Sequence, residues 1–245
     1  QIVEEAKKVI PLPLEEMVLD WKIIPSKNNG GSNVKVFLTG SPKKLIKKYI
    51  DVFKEAKITL ANLETETFSL IRSLLGNDSS TVMIIEMGEN STDFSIVKES
   101  IPFLNRSINI SGKTITNEIS SKMGIDPVQA EQFKFDLGMF KDEKKKEMPK
   151  VILDAIGPVV NEIKYMIDLF YNSNNNGIEK IVLSGGGCLL YNFAEYLEEI
   201  LNIRVVIGNP WFKVSYPPEI EPVLSEVGPK LSVAVGLALR GADKN

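Results

Sequence analysis

The segment Ile178 to Leu201, IEKIVLSGGGCLLYNFAEYLEEIL, runs from an apolar strand through three consecutive glycines into a helix. That order limits the fold more than any other feature. A strand that empties into glycine and then a helix belongs to an α/β layer, with the turn at the carboxyl edge of the sheet. Main-chain N–H groups of Ser184-Gly185-Gly186-Gly187 are directed at that edge, and three residues without side chains let a nucleoside or diphosphate lie against the backbone. A plain strand-to-helix bend would use the same residues. The spacing is not the dinucleotide fingerprint, and no Gly-Lys-Ser/Thr follows to make a Walker A loop.

A second turn of interest lies in Ile84 to Val97, IIEMGENSTDFSIV, where two apolar strands flank a polar centre. Successive N–H groups of Gly88, Glu89 and Asn90 can converge on an anion, with the hydroxyls of Ser91 and Thr92 as further donors. Glu86 and Asp93 meet phosphates only through magnesium or water, since direct contact would juxtapose like charges. An ordinary hairpin would look the same, so the segment gains meaning only if the triple-glycine turn faces it. Glu131 and Lys134 share one helix face and can bracket a ribose or base, or form a surface ion pair. Gly112, behind Ser111 at a helix start, allows a ligand close approach or simply begins the helix. Arg106 and Lys113 add positive charge near that join, with simple surface roles as the plainer reading. Cys188 reads as a core residue, and Trp211 as a core-edge aromatic.

With 245 residues, 43% of them apolar, the chain can build one large domain or two ordinary ones. Its 29 basic against 32 acidic residues make nucleic acid a poor default partner. A single cysteine excludes an intramolecular disulfide and suits the cytosol, while the lack of histidine removes Ser/His/Asp triads and the usual zinc sites. Magnesium is the metal easiest to accommodate. No apolar run approaches the roughly 18 residues of a spanning helix, and the start at Gln1 reads as a processed or trimmed product.

Pro11 and Pro13 end an opening helix, and strands are predicted near 17–25, 34–40, 58–64, 81–87, 92–98 and 102–109. Helices are predicted from Ser41-Pro42, and at 65–75, 112–122, 126–138, 149–171 and 190–201, with a strand in IRVVIG between the last of these and the Asn209-Pro210-Trp211 turn. KNNGGSN at 27–33 reads as a loop and KDEKKKEMPK at 141–150 as a solvated connection. A final helix at 229–240 is apolar on nearly every side and should be buried, with Gly236 permitting close approach of a neighbour. Residues 76–80 are the best boundary from composition alone.

Taken in order, these motifs resemble the type IV pilus assembly protein PilM family of the actin-like nucleotide-binding superfamily. The resemblance rests on EEAKKVIPLPLEEMVLDWKI, KVFLTGSPKKLIKKYIDVFKEAKITLANLET, FLNRSINISGKTITNEIS, AEQFKFDLG, IEKIVLSGGGCLLYNFAEYLEEILNIRVVIGNPW and PKLSVAVGLALR. It implies an α/β, actin-like (ribonuclease H-like) ATPase fold closing around ATP and Mg2+. Residues 1–16 would be a remnant of the first main domain, 17–63 a small subdomain arranged as in the division protein FtsA, 64–78 a return to the first domain, and 79–245 a largely complete second domain. Gly88, Glu89, Asn90, Ser91 and Thr92 match the second phosphate-binding hairpin, Glu86 stands where aspartate is frequent, Glu131 and Lys134 match the nucleoside contacts, and Gly185, Gly186 and Gly187 the adenosine motif. The first phosphate hairpin has no counterpart, which implies an N-terminal truncation and weak ATP binding. No catalytic residue is identified. The resemblance further implies a cytoplasmic adaptor that binds the N-terminal cytoplasmic peptide of PilN, associates with the inner membrane through such partners, joins other pilus assembly components, and is able to form homo-oligomers. An actin-fold small-molecule kinase and a nucleotide-independent adaptor are the alternatives.

Overall fold

A computed structural model of the chain describes residues 2–10, 13–24, 35–139, 148–174 and 177–242. The predicted loop at 27–33 and most of the charged connection at 141–150 lie outside them. The chain divides into two compact units, Gln1–Leu63 and Glu64–Asn245.

In the first unit, helix α1 (Ile2–Val9) is followed by the hairpin of β1 (Met17–Ile24) and β2 (Lys35–Pro42), antiparallel from Met17↔Pro42 to Ile24↔Lys35. Pro42, with φ −58°, then starts α2 (Lys43–Glu55). Leu45, Ile46, Tyr49, Ile50 and Phe53 recur along α2 at the spacing that builds one apolar face. None of its residues is fully buried. The strand expected at 58–64 does not form: Ile58, Leu60 and Leu63 have strand character, but no ladder receives them among the described residues, and strand propensity without a partner does not make a strand.

The second unit is a five-stranded sheet ordered β5-β4-β3-β6-β7. Strands β3 (Val82–Met87), β4 (Thr92–Lys98) and β5 (Ile101–Ile108) form an antiparallel meander, and β6 (Lys180–Ser184) and β7 (Arg204–Ile207) run parallel to β3. Helix α3 (Glu66–Leu70) continues as a π-turn through Leu75, and α4 (Gly112–Met123), α5 (Pro127–Met139), α6 (Lys150–Asn174) and α7 (Phe193–Leu201) follow in chain order, before α8 (Glu221–Ala242). The central strand reads VMII because both of its faces are covered. Met83, Ile85, Phe94 and Ile96 pack in one core with Ile152, Ile156, Val159, Ile163 and Phe170 of α6, the stripe its spacing predicts. Val82, Ile84 and Val182 pack on the opposite side with Leu70, Ile71 and Leu75. Residues 64–78, the segment attributed to a first main domain, lie in this second unit.

Helix α8 departs from expectation twice. It begins at Glu221 rather than 229, because Gly228-Pro229 reads as a helix start while the structure carries Pro229 inside the helix. Nor is it buried: its covered stripe is Gly228, Pro229, Ser232 and Gly236, whereas Leu231, Leu237 and Val223 are 40%, 47% and 60% exposed. Pro218–Gly241 is also long and apolar enough to cross a membrane by length and composition, which counting uninterrupted apolar runs does not detect.

The small residues allow a backbone contact. A side chain at Gly236 would place its Cβ 2.0 Å from the Ser69 carbonyl oxygen of α3. Around that contact Arg72 donates to the Gly236 carbonyl at 2.6 Å and to Glu64 at 2.7 and 3.0 Å, and Arg240 donates to Glu64 at 2.5 Å. Burial pushes the Glu64 carboxyl up, but bonds from Arg72 and Ser69 and the charges of Arg72 and Arg240 hold it below the usual range. Gly236→Ala should therefore lower unfolding stability by about 2–3 kcal/mol in urea titration, whereas Gly241→Ala, with nothing within 4 Å, should leave it unchanged or slightly raised. Equal midpoints for the two variants would show that the contact is not tight.

Candidate functional site

The β3–β4 turn is fastened to the start of α4. Gly88 donates to the Ser91 carbonyl at 2.9 Å, while Gly112 and Lys113 donate to the carbonyls of Gly88 and Glu89 at 3.0 and 3.2 Å. In a trans peptide a carbonyl and the next N–H point opposite ways, and none of the described peptides is cis. Committing the carbonyls of 88 and 89 to α4 therefore aims the N–H groups of Glu89 and Asn90 away from it. Thr92 is fully buried and donates its hydroxyl to the Ile110 carbonyl at 2.5 Å. Thr92 is therefore not the hydroxyl donor to a phosphate that the sequence suggests. Ser91 donates to Asp93 at 3.1 Å.

Gly112 meets the hairpin turn instead of open space, since a Cβ there would stand 3.4 Å from the Gly88 carbonyl oxygen. The amides that begin α4 are taken by that turn and by Ser111, which caps the helix reciprocally with Thr114. Glu131 and Lys134 of α5 reach the same place. Lys134 bonds Glu131 at 2.7 Å, Thr116 at 2.9 Å and the Gly112 carbonyl at 3.2 Å. Burial raises the Glu131 carboxyl, but bonds from Lys134 and Thr116 and the charges of Lys134 and Lys230 leave it below its ordinary value. The pair is thus built into the fold, with Lys134 largely covered and Glu131 the more accessible partner.

The three glycines divide into two kinds. Gly185, at φ 81°, and Gly187 would each place a Cβ 2.3 Å from Met87, the first from its carbonyl oxygen and the second from its side chain, so packing against the end of β3 excludes larger residues. Gly186 is exposed, and a Cβ there would meet only Lys230, at 3.7 Å. No protein neighbour requires a glycine at 186, and the bare main chain is left as a cradle that a side chain would fill. Helix α8 holds the turn from behind: the Pro229 carbonyl accepts from Gly185 at 2.9 Å and from Ser184 at 3.2 Å. Lys230, the next residue, thereby reaches Gly186 and acts electrostatically on Glu131 and Cys188.

The two glycine turns therefore occupy one edge, side by side at the carboxyl ends of the adjacent parallel strands β3 and β6, where Glu86 pairs with Ser184. Beside them the carboxylates of Glu66, Glu86 and Asp93 approach one another within 4.8 Å. Hard oxygen donors in such a group suit magnesium. Glu86 and Asp93 are the carboxylates the sequence directs to magnesium; Glu66 and Lys230 are added by the fold. The Glu86–Asp93 hairpin pairing was readable as proximity, but Glu66 and Lys230 carry no local signal. Arg106 lies elsewhere, bonded to Glu162 and stacked over Tyr165. Cys188 is buried, and burial with the Glu86 charge pushes its thiol up to about 12, which fits packing. Trp211 donates its ring N–H to the Leu224 carbonyl at 2.7 Å and so anchors the loop before α8.

Burial, then the charges of Glu66 and Asp93, push Glu86 up to about 7. A carboxyl raised this way keeps its proton in the folded chain after the unfolded chain has lost it. Its stabilising contribution is complete below about pH 4.5 and is lost as pH rises through about 7. Glu86→Gln should thus be more stable than the parent at pH 8 without divalent cations, by on the order of 2 kcal/mol, and indistinguishable from it near pH 4. A difference independent of pH in thermal unfolding would contradict the assignment.

The residues present thus fit a nucleotide with magnesium: bare glycine main chain, outward N–H groups and clustered carboxylates at one edge. The solved structure of a PilM–PilN type IV pilus biogenesis complex superimposes with a TM-score of 0.81 at 25% identity, covering 98% of this chain and 70% of that one. MreB5 of Spiroplasma citri bound to ADP matches with a TM-score of 0.61 at 17% identity, over 84% of this chain and 69% of that one. EutJ of Carboxydothermus hydrogenoformans matches at 0.58 and 16% identity, over 81% and 62%. These likenesses establish an actin-like α/β fold. Cell division protein FtsA of Borreliella burgdorferi is 25% identical in an alignment of 183 residues that covers 64% of this chain; the chain spans only 42% of that protein's length. The family model described as type IV pilus assembly protein PilM matches residues 1–242, and the chain belongs to that family.

Proposed function

We propose that this chain is the nucleotide-responsive part of a cytoplasmic adaptor of the type IV pilus machine, holding ATP with magnesium at the edge shared by β3 and β6. The observation that carries the reading is Gly186: an exposed glycine whose missing side chain serves no packing need, set beside outward-facing amides and a carboxylate cluster. In this reading the N–H groups of Glu89 and Asn90, with Gly88 and Ser91, hold the phosphate tail. The bare main chain at Gly186, held in place by the packed Gly185 and Gly187, receives the nucleoside, with Glu131 accepting from the ribose while Lys134 and Gly112 fix its position. Glu86, with Glu66 and Asp93, holds magnesium through its waters. The cation would neutralise the charge that otherwise keeps Glu86 protonated.

We assign residues 1–16 and 64–78 to a first main domain, 17–63 to an FtsA-like subdomain, and 79–245 to the second domain. The PilM structure that resembles this chain is a complex with PilN. The partner proposed here is accordingly the N-terminal cytoplasmic peptide of PilN, with other inner-membrane assembly components recruited through it at the cytoplasmic face of the membrane. Nucleotide would change that affinity to the extent that it binds the open and closed forms unequally.

Isothermal titration with ATP and magnesium, with and without the PilN peptide, tests the reading. Gly186→Asp adds a side chain and a negative charge to the bare surface and should weaken ATP binding at least about tenfold while leaving the fold and peptide binding intact. Unchanged ATP affinity in that folded variant would remove the nucleoside placement. Peptide binding without any ATP binding by the parent chain would favour a nucleotide-independent adaptor.

A further inference from the structure

Helix α2 has a surface that nothing in the nucleotide site accounts for. Its sequence, KKLIKKYIDVFKE, carries five lysines against two carboxylates in a chain whose net charge is −3. All five lysines are exposed, and none is held by a carboxylate among the described residues. At helical spacing Leu45, Ile46, Tyr49, Ile50, Val52 and Phe53 fall on one arc, and the lysines on the other. Only Ile46 and Phe53 are half-buried; Leu45, Tyr49, Ile50 and Val52 are 47%, 48%, 48% and 57% exposed.

A soluble helix normally turns its apolar arc inward, so the combination of a largely exposed apolar arc with an excess of lysines calls for a partner that is both apolar and anionic. We propose that α2 lies in the surface plane of an anionic phospholipid bilayer, with Tyr49 and its apolar neighbours entering the headgroup boundary and the lysines reaching the phosphates. The charge complementarity favours this occupant. Thirteen residues of helix give a straight strip about 20 Å long, and lysines along both borders can bury their stems and leave their ammonium groups at the headgroups. An acidic peptide or a second copy of the chain would have to satisfy those lysines through fixed carboxylates, whereas a bilayer supplies phosphates wherever they fall. The contact adds direct attachment to any made through protein partners, and it depends on neither nucleotide nor PilN.

Flotation of the whole chain with vesicles provides the test. Binding should be strong to vesicles containing about 30% phosphatidylglycerol at low salt, weak to pure phosphatidylcholine, and reduced by 0.5 M salt, as expected for charges acting within a Debye length. The double variant Lys43→Glu/Lys47→Glu, on the solvated arc and without packing contacts to lose, should lower partitioning at least about tenfold. Lys164→Glu on α6 should change it little. Tyr49→Ser should weaken binding at both salt concentrations, with circular dichroism confirming that the helix persists. Equal partitioning of the parent and the double variant would overturn the proposal. So would a failure to float accompanied by self-association that Tyr49→Ser abolishes in sedimentation velocity, which would make the face an interface between copies. Binding of the PilN peptide lost in the lysine variant, without vesicle binding by the parent, would assign the strip to that peptide instead.

Discussion

The contact of Gly185 with the carbonyl of Met87 is the constraint on which the site depends. Parallel pairing of β3 with β6 brings the ends of two distant chain segments together, but only a residue without a Cβ can turn there without striking the neighbouring strand. Because Gly187 fits against the Met87 side chain in the same way, the chain passes over the end of β3 as bare backbone. The hairpin after Met87 then leans toward α4, and its carbonyls are consumed by the first amides of that helix. What remains at the edge is N–H groups and glycine surface, an environment that favours anions, next to a carboxylate group that favours cations. A nucleotide with its metal, the ligand proposed above, would meet both demands.

Helix α8 links this edge to the far side of the unit. Its Pro229 carbonyl takes bonds from Ser184 and Gly185. Two turns later Gly236 lies on the α3 backbone, beside the Glu64, Arg72 and Arg240 cluster. The same α3 begins with Glu66, one of the three clustered carboxylates. A shift of α3 against α8 would therefore move Glu66 relative to Glu86 and Asp93, and Lys230 relative to Gly186. This gives a route by which occupancy of the edge could reach the rest of the chain without any long-range mechanism.

Much of this was legible in sequence because it is written in local periodicity. The α6 stripe from Ile152 to Phe170, the apolar runs of β3 and β4, and the role of Gly236 follow from spacing and residue size alone. The failures share a cause. The segment 58–64 has strand residues and no strand, since a ladder needs a neighbour that sequence does not reveal. Pro229 looked like the first residue of a helix because its local cost inside one is visible, while the bonds its carbonyl makes to a distant turn are not. The outward apolar residues of α8 looked like core because composition counts them without saying that Gly228, Ser232 and Gly236 form the covered side. Thr92 reads as a phosphate donor, but its hydroxyl is buried and spent on the carbonyl of Ile110, eighteen residues on.

The sequence by itself determined the alternation of strands and helices, the position of the two glycine-bearing turns, the lack of histidine chemistry, and the family to which the order of motifs belongs. These depend on neighbours a few residues apart. Only the tertiary structure decided that the two turns share one edge, that Glu66 and Lys230 join them, and that two of the three glycines are required by packing while the third is left open. Those properties are relations between residues far apart in the chain, set by the pairing of β3 with β6 and the docking of α8, and no local pattern encodes a distance.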